Sequence, residues 1–296
     1  MIILNVMGGL GNQMFQYAFG LALAQSTGQE VRFILDTLSK HKSARTFDLQ
    51  NVFGLNPPLA SDADLEKMIG HWRKRAWIRR VLSRRSFRLI GGPHFISESH
   101  YSSVPKHEAL SLKGAYFHGY WQSQDYFMSA SNCVRKSFQF VGDSCPANHA
   151  VRERMNAAPS IGIHVRRGDY VSNPKAASKH GVLSPDHYVR AVENLRQAMP
   201  GARVFAFSDD PKWLQCFVES HFENAECILN NVGTKSFRDM QLMTNCDALV
   251  IANSSFSWWA AWLNNKPRKI IVAPKRWFQN PNFNTAKLIP SDWRIM

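Results

Sequence analysis

The chain has 296 residues, which is enough for two domains of roughly 100–200 residues each. Hydrophobic residues make up 45% of it, so we expect well-filled cores and exclude an intrinsically disordered protein. Subtracting 22 acidic from 36 basic residues gives a formal net charge of +14. This charge predicts an anionic partner, which can be nucleic acid, a membrane surface or a phosphorylated small molecule.

Cysteine content and the amino-terminal sequence indicate a cytosolic protein. The five cysteines form an odd set with no Cys-x-x-Cys spacing, which argues against both a zinc ribbon and a disulfide framework. No stretch reaches about 18 continuous apolar residues. Gly8 and Gly9 interrupt the apolar amino terminus, which suits a first strand better than a signal peptide.

The chain begins with a pattern of strand, glycine turn and helix. Ile2–Val6 reads as a buried strand, and the glycines after it let backbone amides approach a phosphate or the polar edge of a sugar. Gly9-x-Gly11 nearly matches a dinucleotide fingerprint, but Met14 replaces the third glycine. In that interpretation Asp36, after the strand Val31–Leu35, binds a ribose. A tight turn without a ligand is the alternative.

The next stretch contains an Asp-x-Asp sequence, Ser61-Asp62-Ala63-Asp64. In some sugar-nucleotide enzymes such a pair binds a divalent metal. Here Ser61 precedes a helical pattern and the acids occupy its first turn, so we favour helix capping.

Residues 67–97 contain basic and aromatic residues but no acidic residue. Such a segment is able to lie on an anionic membrane, and we predict this interaction. The alternative is a solvated basic helix that packs its apolar side on the domain. Nucleic acid ranks below both because no binding motif accompanies the charge, and we expect no nucleic-acid partner.

Lys113–Tyr120 predicts another strand, followed by a helix that ends near Phe138. Tyr120 and Trp121 are candidates for an aromatic platform under a sugar ring, and core packing is the alternative. The stretch 139–159 contains Gly142, Pro146 and Pro159 around a short basic helix. We expect a domain junction there, with domains at 1–145 and 146–296.

From Ser160 onward strands and helices alternate, which predicts a parallel doubly wound sheet. The first strand of this part, Ser160–Val165, is followed by Arg166 and Arg167. Ligands bind at the carboxyl ends of such strands, and two guanidinium forks suit a diphosphate. Pairing of one arginine with Asp169, with the other solvated, is the alternative.

A second candidate anion site is the turn Asn253-Ser254-Ser255-Phe256-Ser257. It follows the predicted strand Ala248–Ala252 and precedes a helix. Its hydroxyl and amide groups are therefore suited to bind phosphate at a helix start. Simple capping of the helix by one serine is the alternative.

Three motifs together resemble the α-1,2-fucosyltransferases of glycosyltransferase family 11. They are Gly8-Gly9-Leu10-Gly11-Asn12-Gln13-Met14-Phe15-Gln16-Tyr17-Ala18, His164-Val165-Arg166-Arg167-Gly168-Asp169-Tyr170 and Asn253-Ser254-Ser255-Phe256-Ser257-Trp258-Trp259-Ala260-Ala261-Trp262. The resemblance implies an α/β protein of the GT-B class, with two Rossmann-like domains and a cleft between them. It further implies inverting, metal-independent transfer of L-fucose from GDP-β-L-fucose to the 2-hydroxyl of a terminal galactose, with no cofactor.

The resemblance also implies roles for individual residues. We expect the carboxy-terminal domain to bind GDP-fucose and the amino-terminal domain to bind the galactose-terminated acceptor. The expected donor-binding residues are Gly9, Leu10, Gly11, His164, Arg166, Arg167, Asp247, Asn253, Ser254, Ser255 and Phe256. The expected acceptor-binding residues are Asp36, Tyr120 and Trp121. The expected catalytic residues are Arg166, Asp169 and Asn12.

The general base is the least determined of these roles. Asp169 leaves the same strand end as the arginines and is our first candidate, while fixing Arg166 or Arg167 is its alternative role. Asp36 and His118 are weaker candidates. A nicotinamide-dependent oxidoreductase using Gly9-x-Gly11 is the competing function. We expect a cytoplasmic protein at the inner face of a membrane, acting on a glycan that can be lipid-linked.

Overall fold

The computed structural model describes residues 1–36, 38, 46–87, 89–90, 92–98, 111–142, 145–279 and 287–296. The chain divides into two compact units, Met1–Val141 and Gly142–Met296. Each unit contains its own parallel sheet and its own hydrophobic core.

The first unit, in its described residues, contains four parallel strands and five α-helices. The strands are β1 (Ile2–Asn5), β2 (Val31–Ile34), β3 (Phe95–Ser97) and β4 (Tyr116–His118), in the order β2-β1-β4-β3. The helices are α1 (Leu10–Thr27), α2 (Asp48–Phe53), α3 (Asp62–Ile69), α4 (Ala76–Leu82) and α5 (Ser131–Ser137). Short 3₁₀ helices cover His71–Lys74, Arg85–Phe87, Gln124–Tyr126 and Met128–Ala130.

Both faces of the first sheet are covered, as expected for parallel strands. Ile2 and Leu4 of β1 pack with Phe19 of α1. Ile3, between them, points to the opposite face and packs with Leu65 and Leu82 of helices α3 and α4. The continuous apolar run of β1 follows from this burial on both sides.

The second unit, in its described residues, contains six parallel strands and seven α-helices. The strands are β5 (Ser160–Val165), β6 (Arg203–Ser208), β7 (Ala225–Cys227), β8 (Ala248–Val250), β9 (Ile270–Ala273) and β10 (Arg294–Ile295). The helices are α6 (Pro146–Ala157), α7 (Gly168–Ser172), α8 (Pro174–His180), α9 (Pro185–Ala198), α10 (Pro211–His221), α11 (Phe237–Met243) and α12 (Ser255–Leu263). A 3₁₀ helix covers Gly233–Lys235.

The strand order β10-β9-β8-β5-β6-β7 creates a switch point between β5 and β8. The chain passes from β5 to β6 and β7 on one side and then continues at β8 on the other side. A crevice opens between the carboxyl ends of two such strands, and it is the usual ligand site of a doubly wound sheet. The predicted doubly wound parallel sheet is therefore confirmed.

Two local predictions can be compared with the structure. Ser61 caps α3 through a reciprocal capping box with Asp64, and Arg32 Nη1 lies 2.8 Å from Asp64 Oδ2. The Asp-x-Asp sequence is thus used for helix capping, as we favoured. The five cysteines are free thiols. No helix within the described ranges combines the length and the apolar character that crossing a bilayer requires.

Candidate active site

Arg166 directly follows β5 and is fixed by two carboxylates. Its Nη2 lies 2.5 Å from Asp169 Oδ1 and its Nη1 lies 2.9 Å from Asp209 Oδ2. Burial lowers the pKa of Arg166, but Asp209 and Asp169 more than offset it, so the net pKa is raised. The side chain is 30% exposed, so a charged, preorganised guanidinium stays accessible at the carboxyl edge of the sheet.

Arg167 points to a different acid. Its Nε lies 3.1 Å from Asp210 Oδ2, and its guanidinium carbon lies 4.3 Å from the centre of the Trp213 ring. Each arginine therefore has a carboxylate partner of its own, and the alternative in which one of them is only solvated is wrong. Separate partners relieve the repulsion expected between adjacent guanidinium groups.

Asp209 is a site residue that the sequence analysis did not single out. Besides its ion pair with Arg166, its Oδ1 accepts a hydrogen bond from the backbone N–H of Arg167 at 2.8 Å. A Cβ atom at Gly168 would lie 2.2 Å from Asp209 Oδ2, so Gly168 makes room for this carboxylate. The sequence does contain one indication of this role: Asp209 follows the strand next to β5, at the same edge of the sheet.

His164, near the end of β5, is buried with its Nδ1 unpaired. The residue is 4% exposed, and Nδ1 has no hydrogen-bond partner among the described residues. Its ring centre lies 5.5 Å from that of Phe256. Burial, and then the Arg166 charge, lower the pKa of His164 to about 3. The imidazole is therefore neutral at physiological pH, and an unpaired buried nitrogen is a group that a bound ligand can satisfy.

The turn after β8 is held rigidly. Asn253 Nδ2 donates to the carbonyl oxygens of His180, Gly181 and Trp277 at 2.9–3.2 Å, whereas its Oδ1 has no partner within the described chain. The Tyr170 hydroxyl donates to the Asn253 carbonyl at 3.1 Å. Helix α7, which carries Tyr170, thereby ties the Arg166 loop to this turn.

The start of helix α12 lies at the same edge. Ser254 is its N-cap, and its Oγ accepts a hydrogen bond from the Phe256 N–H at 3.3 Å. Capping by one serine is therefore observed, while the half-buried Ser255 occupies the first helical position. The amino end of a helix carries partial positive charge, which favours an anion.

Asp247 lies at the opposite edge of the sheet, which corrects our prediction that it binds the donor. It immediately precedes β8, and Ser160, the first residue of β5, donates its backbone N–H and its hydroxyl to Asp247 Oδ2, both at 2.9 Å. Lys266 Nζ lies 2.6 Å from Asp247 Oδ1. The Asp247 carboxylate therefore joins the amino ends of β5 and β8, whereas Arg166 lies at the carboxyl end of β5.

In the first unit the glycine turn precedes α1. Gly9 is the N-cap of α1, and Gly8 has a φ of 86°, a conformation that favours glycine. A Cβ atom at Gly8 would lie 2.5 Å from Asn12 Nδ2. Gly8 therefore permits close packing of Asn12, whose Oδ1 accepts a hydrogen bond from Gln122 Nε2 at 2.7 Å.

Two buried glutamines of the first motif hold this turn in place. Gln16 exchanges hydrogen bonds with the backbone of Met7 and donates to the Gly119 carbonyl, so it joins the segments after β1 and β4. Gln13 donates to the Gly8 carbonyl at 3.1 Å and accepts from the backbone N–H of Asp48 at 2.9 Å. Their amide groups are structural, a role the sequence analysis did not assign.

The aromatic platform predicted for the acceptor is wrong for Trp121. This side chain has no exposed surface, and its ring stacks on Phe19 with centres 4.7 Å apart. The alternative of core packing holds for it. Tyr120 is half-buried, and its backbone N–H donates to Glu98 Oε2 at 2.6 Å. Acceptor binding by Tyr120 stays a prediction.

Asp36 borders an open pocket beside helix α4. Its Oδ2 lies 2.5 Å from Nη2 of the buried Arg79, and Trp77 in the same pocket is 63% exposed. The pocket has a volume of about 400 Å³ and is lined by Asp36, Asp62, Lys74, Arg75, Ala76 and Trp77. An exposed indole beside carboxylates is an arrangement that suits a sugar ring.

Comparisons with known proteins bear on the identity of this chain. The profile described as Glycosyl transferase family 11 matches residues 83–294. The Alpha-1,2-colitosyltransferase of Escherichia coli is 29% identical over 293 residues, which are 99% of this chain and 97% of that protein. The O-antigen biosynthesis glycosyltransferase WbnK of Escherichia coli is 31% identical over 300 residues, 97% of each chain.

A more distant relative and a solved structure extend the comparison. The Galactoside 2-alpha-L-fucosyltransferase Sec1 of Mus musculus is 24% identical over 269 residues, 89% of this chain and 64% of that protein. The crystal structure of fucosyltransferase NodZ from Bradyrhizobium matches with a TM-score of 0.59 and 14% identity, covering 88% of this chain and 91% of that chain. This match confirms the GT-B fold with two Rossmann-like units. The chain belongs to glycosyltransferase family 11.

Proposed function

We propose that this enzyme transfers L-fucose from GDP-β-L-fucose to the 2-hydroxyl of a terminal galactose, with inversion and without a metal. The observation that carries the proposal is Arg166, held by Asp169 and Asp209 at the switch point between β5 and β8. The names of the family 11 relatives, which include an α-1,2-colitosyltransferase and a galactoside 2-α-L-fucosyltransferase, support the linkage.

The chemistry requires a cation beside the leaving group. Breaking the bond between the anomeric carbon and the β-phosphate leaves negative charge on GDP. Arg166 is preorganised to stabilise that charge, and Arg167, the start of α12 and Ser255 supply further donors for phosphate oxygens. The unpaired His164 Nδ1 and Asn253 Oδ1 are further polar atoms for the donor.

Asp169 has two candidate roles, and one variant separates them. If Asp169 is the general base, Asp169→Asn lowers kcat and abolishes the acidic limb of the pH–rate profile. If Asp169 only fixes Arg166, the same variant raises the Kd for GDP and leaves the shape of the profile intact. We favour the base. Asn12 remains our candidate for orienting the acceptor hydroxyl.

We assign acceptor binding to the pocket lined by Asp36 and Trp77. Trp77→Ala is expected to raise the KM for the acceptor roughly fivefold or more, because stacking of one ring on an aromatic side chain is worth about 1 kcal/mol. The KM for the donor is expected to stay constant. An equal rise in both KM values would contradict this assignment.

The direct test is transfer from GDP-fucose to lactose in EDTA, with NMR analysis of the product linkage. We expect an α-1,2 product from the wild type and a kcat roughly 10²–10³-fold lower in Arg166→Ala. Arg190→Ala, which changes an exposed arginine on helix α9, is the matched control and is expected to keep full activity. If the wild type binds GDP but transfers no fucose, the donor sugar or the acceptor is wrong. If it binds no GDP, the site assignment fails.

Colitosyl transfer is the second candidate, because a relative with this name aligns with 99% of this chain. Colitose is fucose without its 3-hydroxyl. A site that hydrogen-bonds this hydroxyl rejects the deoxy sugar by a large factor. We expect a higher kcat/KM with GDP-fucose than with GDP-colitose, and the reverse ratio would assign the enzyme to colitose.

A further inference from the structure

The proposed reaction uses only Trp77 of an exposed basic and aromatic surface on the first unit. No acidic residue occurs between Glu66 and Glu98. Within the described residues, four of the ten exposed large hydrophobic side chains lie in this stretch. We call the following residues the basic-aromatic patch: Trp72, Arg75, Trp77, Arg80, Arg84, Leu89 and Ile90.

Helix α4 separates a buried face from this patch. Ala76, Arg79 and Leu82, spaced three residues apart, are buried. Trp77 and Arg80 lie on the other side of the helix, and Arg84 continues their spacing just beyond its end; all three are exposed. One face of α4 therefore packs on the domain, as in the alternative of a solvated basic helix. The other face is exposed.

The remaining apolar members of the patch, Trp72, Leu89 and Ile90, are connected through Arg73. The guanidinium of Arg73 lies over the Trp72 ring, 4.5 Å from its centre. The same guanidinium donates to the Ile90 carbonyl at 2.8 Å. Arg73 thus links the 3₁₀ helix that carries Trp72 to the turn that carries Leu89 and Ile90. Leu89 is 95% exposed, so a partner that covers it would remove its apolar surface from water.

We propose that the basic-aromatic patch binds the surface of an anionic lipid bilayer. Exposed tryptophans beside arginines suit the region between headgroups and acyl chains, where indole rings and cationic side chains both find partners. Each basic residue near such a surface strengthens binding about fivefold, and inserted apolar side chains add to this. Trp77 also lines the acceptor pocket, so a bilayer here would bring lipid-linked glycans next to that pocket.

Vesicle sedimentation tests this proposal. The full-length protein is mixed with phosphatidylcholine vesicles that contain either no or 30% phosphatidylglycerol. We expect the wild type to sediment only with the anionic vesicles, and less in 0.5 M than in 0.1 M NaCl because salt screens the charges. Failure to sediment at 0.1 M NaCl overturns the proposal. Since binding is measured without turnover, the result does not depend on the proposed donor or acceptor.

Matched variants separate the patch from the overall charge. Arg80→Glu with Arg84→Glu is expected to lower vesicle partitioning at least ~20-fold. Arg190→Glu with Lys235→Glu makes the same charge change on exposed residues of the second unit and is expected to reduce it less than threefold. Equal losses in the two double variants would mean nonspecific attraction by the net charge, which contradicts a patch.

The apolar contribution is tested in the same way. Trp72→Ser with Leu89→Ser is expected to lower partitioning about tenfold, while Val232→Ser, at a 64% exposed position of the second unit, leaves it unchanged. Activity on soluble lactose is expected to stay at the wild-type level in all of these variants.

If Trp72→Ser with Leu89→Ser instead converts a dimer to a monomer in analytical ultracentrifugation, the patch is a contact between copies. Loss of RNA binding with unchanged vesicle binding would assign it to nucleic acid.

Discussion

Gly168 illustrates how one small residue positions the candidate catalytic arginine. Because a Cβ atom there would meet Asp209 Oδ2 at 2.2 Å, Gly168→Ala is expected to displace the Asp209 carboxylate from Arg166. Overpacking of this kind costs about 1–3 kcal/mol, so we expect kcat/KM to fall roughly tenfold or more. Gly142→Ala is the control, since no atom lies within 4 Å of its added Cβ. Wild-type kcat/KM in Gly168→Ala would show that Asp209 does not position Arg166.

The buried His164 predicts a dependence of stability on pH. Its pKa is about 3 in the folded protein and about 6.5 in the unfolded chain. Between these values the unfolded chain binds a proton that the folded protein does not, so the free energy of unfolding falls as the pH is lowered, by up to about 1.4 kcal/mol per pH unit. In His164→Gln this contribution to the fall in the free energy of unfolding is absent, because glutamine does not titrate.

Urea unfolding of the wild type and His164→Gln at pH 7, 6 and 5 measures this effect. We expect any stability advantage of the wild type to shrink as the pH falls. Val232→Ser, at a 64% exposed apolar position, changes no titrating group and is the control; its difference from the wild type is expected to be the same at each pH. A difference between wild type and His164→Gln that stays constant with pH would mean that His164 is not held neutral by burial.

The site residues differ in how far the sequence defined them. The position of Arg166 followed from the apolar alternation of Ser160–Val165, because the chain must leave the sheet where that alternation ends. Of its two carboxylate partners, Asp169 was already an alternative in the sequence analysis, whereas Asp209 did not follow from the sequence. Asp209 is 43 residues from Arg166 in the sequence, and only the pairing of β5 with β6 brings them together.

At the scale of elements, strand direction decides which edge a residue occupies. Asp247 precedes β8 and Asn253 follows it, so the two residues lie at opposite edges although they are close in sequence. The resemblance suggested a donor role for Asp247, yet its position before the strand already argued against it. Trp121 could not be placed in the same way, because its burial depends on Phe19 of a helix about 100 residues earlier.

Strands β3 and β10 escaped the sequence analysis for a different reason. β3 has three residues and β10 has two; β4, β7 and β8 also have three, but they lie in longer apolar stretches of the sequence. β3 and β10 are both outer strands of their sheets. The central strands β1 and β5 are longer and buried on both faces, and they were predicted within one residue of their observed ends.

The contrast between the two edges of the second sheet yields a testable pair of variants. Asp247→Ala removes the hydrogen bonds that Asp247 accepts from Ser160 and its ion pair with Lys266. It is expected to lower the free energy of unfolding by about 1.5–3 kcal/mol. The Kd for GDP is expected to stay within twofold. Asp209→Ala, at the carboxyl edge, is expected to raise that Kd at least fivefold. The opposite outcome in calorimetric titrations with GDP would restore Asp247 to the donor site.

The whole molecule consists of two units, each with a parallel sheet of its own. In the first unit Gln16 joins the segments that leave the neighbouring strands β1 and β4. In the second unit Tyr170 connects the segments that leave β5 and β8, on the two sides of the switch point. The cations that suit a nucleotide diphosphate follow β5, and for this reason we propose that the donor binds the second unit and the acceptor the first.

Hydrogen exchange over the whole chain tests this division. With saturating GDP in EDTA, we expect slower amide exchange at the carboxyl edge of the second sheet, in the segments 164–171, 207–213 and 252–258, because ligand binding suppresses local opening there. Residues 67–97 and the amino edge around Asp247 are expected to exchange as in the free protein. Arg166→Ala at the same GDP concentration is the control and is expected to show little protection. Protection confined to the Gly8–Asn12 turn would instead favour the dinucleotide interpretation of that turn and would move the nucleotide to the first unit.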